Sequence, residues 1–188
     1  MRETLLLIAG IMLACAGVAK AEAPTNAALA ALVAPQPGNK ACYARSYDAA
    51  HLRAHPGQRI TAMTFLITVT AYDPKPADAK APQDLVYYPF AMSVARRGDK
   101  RLLHTSGDCT SGDGIRCVVD CDGGSVTLDK TPPANTLIVR LTGDGIRMFH
   151  DCDDEEGVLV NAGVDDKVFR LDKVDLKSCQ ALIKQIED

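Results

Sequence analysis

Apolar and polar residues alternate along two segments in the middle of the chain. Over residues 63–71 every odd position is apolar, and three of the four even positions are threonine. Over residues 86–94 the even positions are all Val, Tyr, Phe or Met. A period of two predicts β-strands with one buried face. Shorter apolar runs between glycine-rich turns predict seven more strands, over residues 101–106, 115–121, 126–128, 137–141, 146–152, 158–160 and 168–171.

Two segments carry helix signals instead. Asp48 is a good N-terminal cap, and Pro56-Gly57 ends the short helix that would follow it. Asp175 precedes a second helix whose apolar residues share one face: Leu176, Cys179, Leu182, Ile183 and Ile186. About nine short strands with a short N-terminal helix and a C-terminal helix predict an all-β, mainly antiparallel fold. We expect a disulfide-stapled barrel or sandwich.

An eleven-residue string occurs twice, 31 positions apart. Residues 112–122 and 143–153 are identical at eight of eleven positions, beginning with Gly-Asp-Gly-Ile-Arg and ending with Asp-Cys-Asp. Such periods are typical of repeated supersecondary units, so we predict a β-hairpin in each copy. A two-residue turn would pair Leu141 with Met148, whereas a three-residue loop would pair Cys109 with Cys117. The register stays open, and the two copies need not share it.

The first residues have the order of a secretory signal peptide. A single Arg2 precedes an apolar run from Leu5 to Val18, and Ala19-Lys20-Ala21 forms a small-x-small cleavage site. We therefore divide the chain into a signal peptide (1–21), a flexible N-terminal arm (22–40) and a single β-rich domain (41–188). The alternative is a lipoprotein signal with its anchor on Cys15. Either leader predicts export, to the periplasm or outside the cell.

Charge and motifs restrict the partners. The whole chain has a net charge of −3, and removal of residues 1–21 leaves 19 basic and 23 acidic residues, a charge of −4. A weakly acidic chain has no general electrostatic attraction to nucleic acid or anionic lipid. No other apolar segment reaches membrane-spanning length. No glycine-rich phosphate loop follows a strand and opens a helix, so we expect no cofactor.

Six cysteines remain after export: Cys42, Cys109, Cys117, Cys121, Cys152 and Cys179. An even number in an exported chain predicts three disulfides. Cys109 and Cys117 are both replaced in the second copy, by Arg140 and Met148, as expected of partners. Cys121 and Cys152 are equivalent positions of the repeat and form the second predicted pair. Cys42 and Cys179 are left to join the ends of the domain.

Three groups of residues are candidates for metal binding or catalysis. His51 and His55 stand one helical turn apart and are candidate zinc ligands, but the chain offers no evident third ligand. The acidic residues 153–156 beside the second Asp-Cys-Asp suggest calcium, with a solvated strand edge as the alternative. His150 falls on the inward face and is a candidate general base. We expect instead a buried histidine bound to backbone, since no nucleophile is evident.

The repeat also places Val118 and Phe149 at equivalent outward positions, with Arg116 and Arg147 beside them. A hydrophobic residue ringed by charge is typical of a partner-binding surface, and packing under the C-terminal helix is the alternative for this pair. We therefore expect an exported, non-catalytic binding protein of the cell envelope, accessory or inhibitor-like, whose partner is a protein or a small apolar ligand. The alternatives are a metal-dependent hydrolase and a calcium-binding envelope protein.

Overall fold

A computed structural model of the chain describes residues 26–71, 85–120, 122–131, 135–150, 154 and 156–187. In these residues the strands are β1 (Lys40–Ser46), β2 (Ile60–Thr68), β3 (Thr70–Ala71), β4 (Val86–Arg96), β5 (Leu103–Gly112), β6 (Gly114–Val118), β7 (Gly124–Thr131), β8 (Thr136–Met148), β9 (Val158–Val160) and β10 (Val168–Val174). The helices are α1 (Ala27–Ala30), α2 (Ala49–Ala54) and α3 (Gln180–Glu187), and a 3₁₀ turn over Leu176–Cys179 leads into α3.

Eight of the strands close into an antiparallel barrel. Around the barrel the order is β1, β2, β4, β5, β6, β7, β8 and β10, and β10 pairs with both β8 and β1. The strand β3 continues the pairing along β4, and β9 pairs with the end of β8. The predicted all-β antiparallel fold with a helix near each end is therefore confirmed, and its architecture is a barrel.

Strand alternation divides the side chains between the barrel interior and its outer surface. The large buried residues Tyr43, Phe65, Tyr88, Phe90 and Phe169 belong to one cluster, as their inward positions require. The rings of Phe65 and Phe90 stack with centroids 5.4 Å apart. Full burial of each such ring contributes about 2–3 kcal/mol, so this cluster is a main source of stability.

The helix α3 covers part of the outer surface. A second buried cluster joins its Leu182 and Ile183 to Leu66 of β2 and to neighbouring outward residues of β1 and β4. Leu66 is the one apolar residue among the even positions of residues 63–71, and its contact with α3 accounts for it. The helix is also held covalently, because Cys42, which points outward from β1, is bonded to Cys179. The structure thus contains this predicted disulfide.

Residues 26–39 of the N-terminal segment contact the barrel. Leu29, Leu32 and Val33 are buried in the main cluster, and α1 packs against β5 and β6. Their spacing of three and four residues places them on one helical face, which the alanine-rich and proline-rich composition obscured. Apolar packing therefore holds this part of the segment against the barrel. The predicted signal peptide lies outside the described residues.

The two copies of the repeat have different structures. In the first copy, Gly112 pairs with Gly114 around Asp113, and Cys109 lies opposite Cys117, to which it is bonded. This is the predicted hairpin with the three-residue loop.

The predicted second hairpin is wrong. Residues 143–145 form a bulge inside the continuous strand β8, because Leu141 pairs with Val126 and Ile146 pairs with Gly124. Ser125 alone faces the extra residues and accepts, at its carbonyl oxygen, a hydrogen bond from the Thr142 hydroxyl at 2.9 Å. The predicted bond between Cys121 and Cys152 lies outside the described residues.

The described disulfides indicate an oxidising, extracytoplasmic location. Within the described residues, no helix has the length and apolar character needed to cross a membrane.

Candidate functional site

A groove lies between α3 and the chain that follows β8. It is open to solvent, has a volume of about 870 Å³, and contains both apolar and titratable side chains. Its lining consists of His104, Thr105, Ser106, Val119, Phe149, His150, Asp154, Ala181, Lys184 and Gln185. The volume is in the range of ligand-binding clefts.

A second groove of about 530 Å³ adjoins the first and shares Val119 and Phe149 with it. Its other lining residues are Asp120, Gly123, Arg147, Glu156 and Gly157. We call the two together the Phe149 groove. Because Phe149 belongs to both, its half-buried ring lies where the two grooves meet.

Backbone contacts fix Phe149 in this position. Its N–H donates to the carbonyl oxygen of His104 at 2.8 Å, and the His104 N–H donates back to the Phe149 carbonyl at 2.7 Å. This isolated bridge joins the chain after β8 to the start of β5. Gly157 lies against the ring: its φ is +60°, and a Cβ there would come within 2.7 Å of the aromatic carbons. Only glycine fits, so the ring has a defined place.

His150 connects the groove to the turn between β4 and β5. Its Nδ1 is 3.2 Å from the carbonyl oxygen of Leu102, and its Nε2 is 3.5 Å from Oδ2 of Asp99. The side chain is only 10% exposed. Both ring nitrogens therefore face acceptors, and the contact to the Leu102 carbonyl is the one expected of a buried histidine bound to backbone. The alternative of a general base needs a free nitrogen, which this geometry does not provide.

Two carboxylates beside His150 are held in the ionised form. The Arg101 N–H, the Arg96 guanidinium and the charge of His150 keep the pKa of Asp99 below its ordinary value. Asp154 accepts from the N–H groups of His150 and Gly157, at 3.4 and 3.2 Å, and these bonds lower its pKa too. Asp154 thus braces the chain after β8, whereas Asp153 and Glu155 of the predicted calcium segment lie outside the described residues.

At the other end of the Phe149 groove the charge is negative. Burial, followed by the charge of Asp120, raises the pKa of Asp108, which lies opposite Val118 on the outer face of the barrel. Asp120 and Glu156 are both exposed, and within the described part of the chain their carboxylates form no hydrogen bond or ion pair. These groups are available to a ligand.

The predicted partner surface is divided by the structure. Arg147 and Phe149 lie together in the groove, and Nη1 of Arg147 donates to the carbonyl oxygen of Glu156 at 2.5 Å. Arg116 lines a separate groove of about 420 Å³ beside the first hairpin and donates from Nε to the Ser125 hydroxyl at 3.1 Å. Val118 is 40% exposed and lines neither part of the Phe149 groove.

Sequence reasoning missed the remaining walls of the groove. Val119, the residue after β6, is buried, yet it also lines both parts of the groove. Ala181 and Lys184 come from α3, on the side of the helix away from its apolar face. No local pattern shows that this side lies beside the chain after β8, because that proximity depends on how the barrel closes.

The candidate zinc ligands lie on α2, which Asp48 caps as predicted by accepting from the His51 N–H at 2.8 Å. The rings of His51 and His55 stack with centroids 4.4 Å apart, and Tyr47 stacks on His51 at 4.7 Å. Nε2 of His51 is 2.9 Å from Oε1 of the buried Gln58. One imidazole nitrogen is therefore already used. Among the residues that the structure describes, no three His, Cys, Asp or Glu side chains are arranged to hold a metal ion.

No family model, curated protein or solved structure matches the chain significantly. A barrel by itself does not determine a function, which depends instead on the grooves of this protein and their chemistry.

Proposed function

We propose that this is an exported, non-catalytic binding protein of the cell envelope that holds a segment of a protein partner in the Phe149 groove. The observation that carries the proposal is the half-buried Phe149 ring, fixed by backbone bonds at the junction of two open grooves. Aromatic residues in such positions supply much of the energy of protein interfaces. An accessory or inhibitor-like role fits a protein that acts by binding alone.

The shape of the groove favours a polypeptide over a small apolar ligand. In the described part of the chain the barrel interior is occupied by large aromatic side chains, whereas the grooves are open and lie on its surface. A small apolar molecule is best held where most of its surface is buried. An open groove with charged groups along it suits an extended segment that keeps part of its backbone in water.

The charges favour a particular kind of segment. The carboxylates of Asp120 and Glu156 have no partner among the described residues and lie on one side of Phe149, and Val119 lies beside the ring. An apolar side chain of the partner would pack on Val119 and Phe149, and an adjacent Lys or Arg would meet the two carboxylates. Such complementary charge mainly contributes specificity and a faster association rate.

Selection from random peptides displayed on phage tests the proposal. The immobilised wild-type protein should enrich peptides in which an aromatic or aliphatic residue neighbours Lys or Arg. Phe149→Ala should weaken binding of the selected peptides by about tenfold or more, since a buried aromatic at an interface contributes on the order of 2 kcal/mol. Asp120→Asn with Glu156→Gln should remove the preference for a basic neighbour while apolar selection persists.

Val118→Ala is the matched control, because it truncates an exposed apolar side chain outside the groove. It should leave peptide affinity unchanged. The proposal is wrong if selection on wild type yields no common pattern, or if Val118→Ala and Phe149→Ala weaken binding equally. Thermal melts of each variant show whether a loss of binding reflects a loss of folding.

A further inference from the structure

Three arginines line a small groove at the end of the barrel where β2 begins and β4 ends. The groove has a volume of about 250 Å³, and its lining consists of Arg59, Arg96, Arg97, Gly98 and Asp99. We call it the Arg groove. Arg96 is the last residue of β4 and pairs near the start of β2, and the Arg97 N–H donates to the carbonyl oxygen of Arg59 at 2.8 Å. Strand pairing therefore holds the three arginine backbones side by side.

Arg97 is anchored by the end of α2. Its Nε donates to the carbonyl oxygen of Gln58 at 2.7 Å, and one Nη donates to the carbonyls of Leu52 and His55 at 2.6 and 3.2 Å. A cation is favoured at the C-terminal end of a helix, where carbonyl groups lack partners. The guanidinium of Arg97 thus has a fixed position, and the strand pairing places Arg59 next to it.

The Arg groove contains more hydrogen-bond donors than acceptors. Arg96 donates from Nη2 to Oδ2 of Asp99 at 3.1 Å, while its Nε is buried and has no partner among the described residues. The exposed guanidinium of Arg59 likewise contacts no acceptor in the described part of the chain. Three arginines and one carboxylate, that of Asp99, line the groove, and Asp166 lies beside it, where it accepts from the Arg59 N–H at 2.7 Å. Each guanidinium carries five N–H donors.

We propose that the Arg groove binds a phosphate group. A tetrahedral phosphate presents oxygens in several directions and can accept from guanidinium groups on more than one side, whereas a carboxylate offers two oxygens in one plane. The anion also lowers the electrostatic cost of the buried part of Arg96, even without a direct bond to Nε. The whole chain is acidic. Salt screens the charges that lie more than about 10 Å from the groove, so the nearby arginines determine whether an anion binds.

Titration of the full exported chain with inorganic phosphate, followed by NMR of the amide groups, tests the site. Saturable shifts are expected at Gly98 and Arg97. Arg59→Gln should weaken phosphate binding by about tenfold, which is the loss of one or two charge-assisted hydrogen bonds. Arg59 is the residue to replace, because Arg96 and Arg97 have structural partners. Arg53→Gln removes the same charge from an exposed position on α2 and should change the affinity by less than about twofold.

Absence of saturable shifts at Gly98 and Arg97 would overturn the proposal. So would equal weakening by Arg59→Gln and Arg53→Gln, because that result indicates general attraction of anions. Cosedimentation with phosphatidylcholine vesicles, with and without phosphatidylglycerol, then identifies the source of the phosphate. Binding that needs both phosphatidylglycerol and Arg59 assigns the site to a lipid headgroup. Phosphate binding without vesicle binding assigns it to a soluble phosphate or phosphate ester.

Discussion

Removing the bond between Cys42 and Cys179 should destabilise the protein more than removing the bond between Cys109 and Cys117. The first closes a loop of 137 residues and the second a loop of 8. In the chain-entropy treatment the loss on opening a loop rises with the logarithm of its length, which gives about 5 kcal/mol for the long loop and about 2.5 kcal/mol for the short one. All four cysteines are buried, so replacement of each pair by alanine leaves comparable packing defects.

Urea unfolding of the two double variants measures the difference. The variant Cys42→Ala with Cys179→Ala should be less stable than Cys109→Ala with Cys117→Ala by about 2.5 kcal/mol, or roughly 5–10 °C in midpoint temperature. If α3 also detaches, the dependence of stability on urea concentration falls and the gap widens further. Equal destabilisation, or a larger loss from the short-loop variant, would refute the loop-entropy reasoning for this fold.

Three further predictions concern a glycine, a carboxylate and the processing of the leader. Gly124→Ala should lower the free energy of unfolding, measured in urea, by about 2–4 kcal/mol, because φ is +82° there and a Cβ would overlap the Gly145 carbonyl. A Cβ at Gly143 has open space, so Gly143→Ala should lower it by less than about 0.5 kcal/mol. The folded-state pKa of Asp99 is depressed, so its carboxylate stabilises the fold above the ordinary pKa of 3.8. The midpoint difference between wild type and Asp99→Asn should therefore shrink as the pH falls below 3.8 and be lost as the pH falls through the lower folded-state pKa, and a constant difference would contradict the stated cause. Intact mass spectrometry of the exported protein should show a chain beginning at Glu22 without lipid, and a diacylglycerol mass on the leader cysteine would contradict this.

The strands could be predicted because their signal is local. A period of two over residues 63–71 and 86–94 defines an inward face without knowledge of the partners, and Phe65 and Phe90 are buried as that period requires. Exceptions to this alternation are informative as well. Leu66 and Cys42 point outward and are nevertheless buried, since α3 covers them. A lone apolar residue on an outward face is thus a signal that a second layer packs there.

The candidate site could not be predicted in the same way, because its walls come from distant parts of the chain. Phe149 was identified as a binding residue from its place in the repeat, but its neighbours come from β5, the end of β6 and α3. The residues of the Arg groove lie at the ends of two strands and meet because those strands pair. The whole-chain charge of −3 gives no sign of this basic cluster. Net charge predicts the behaviour of a protein at long range, whereas a site depends on the few groups within a Debye length.

The repeat shows how strand neighbours can override an identical local sequence. In the first copy, the strand that enters Gly112 has a free edge along which β6 can return, so Gly-Asp-Gly becomes a hairpin loop. In the second copy, the strand that enters Gly143 is already paired on both edges, with β7 and β10. A reversal at Gly143 would find no edge to pair with, and the same three residues are accommodated as a bulge while the strand continues to Met148. Bulges of this kind bend a strand and shift its partners, and this one brings Phe149 to the start of β5, where the proposed binding groove lies.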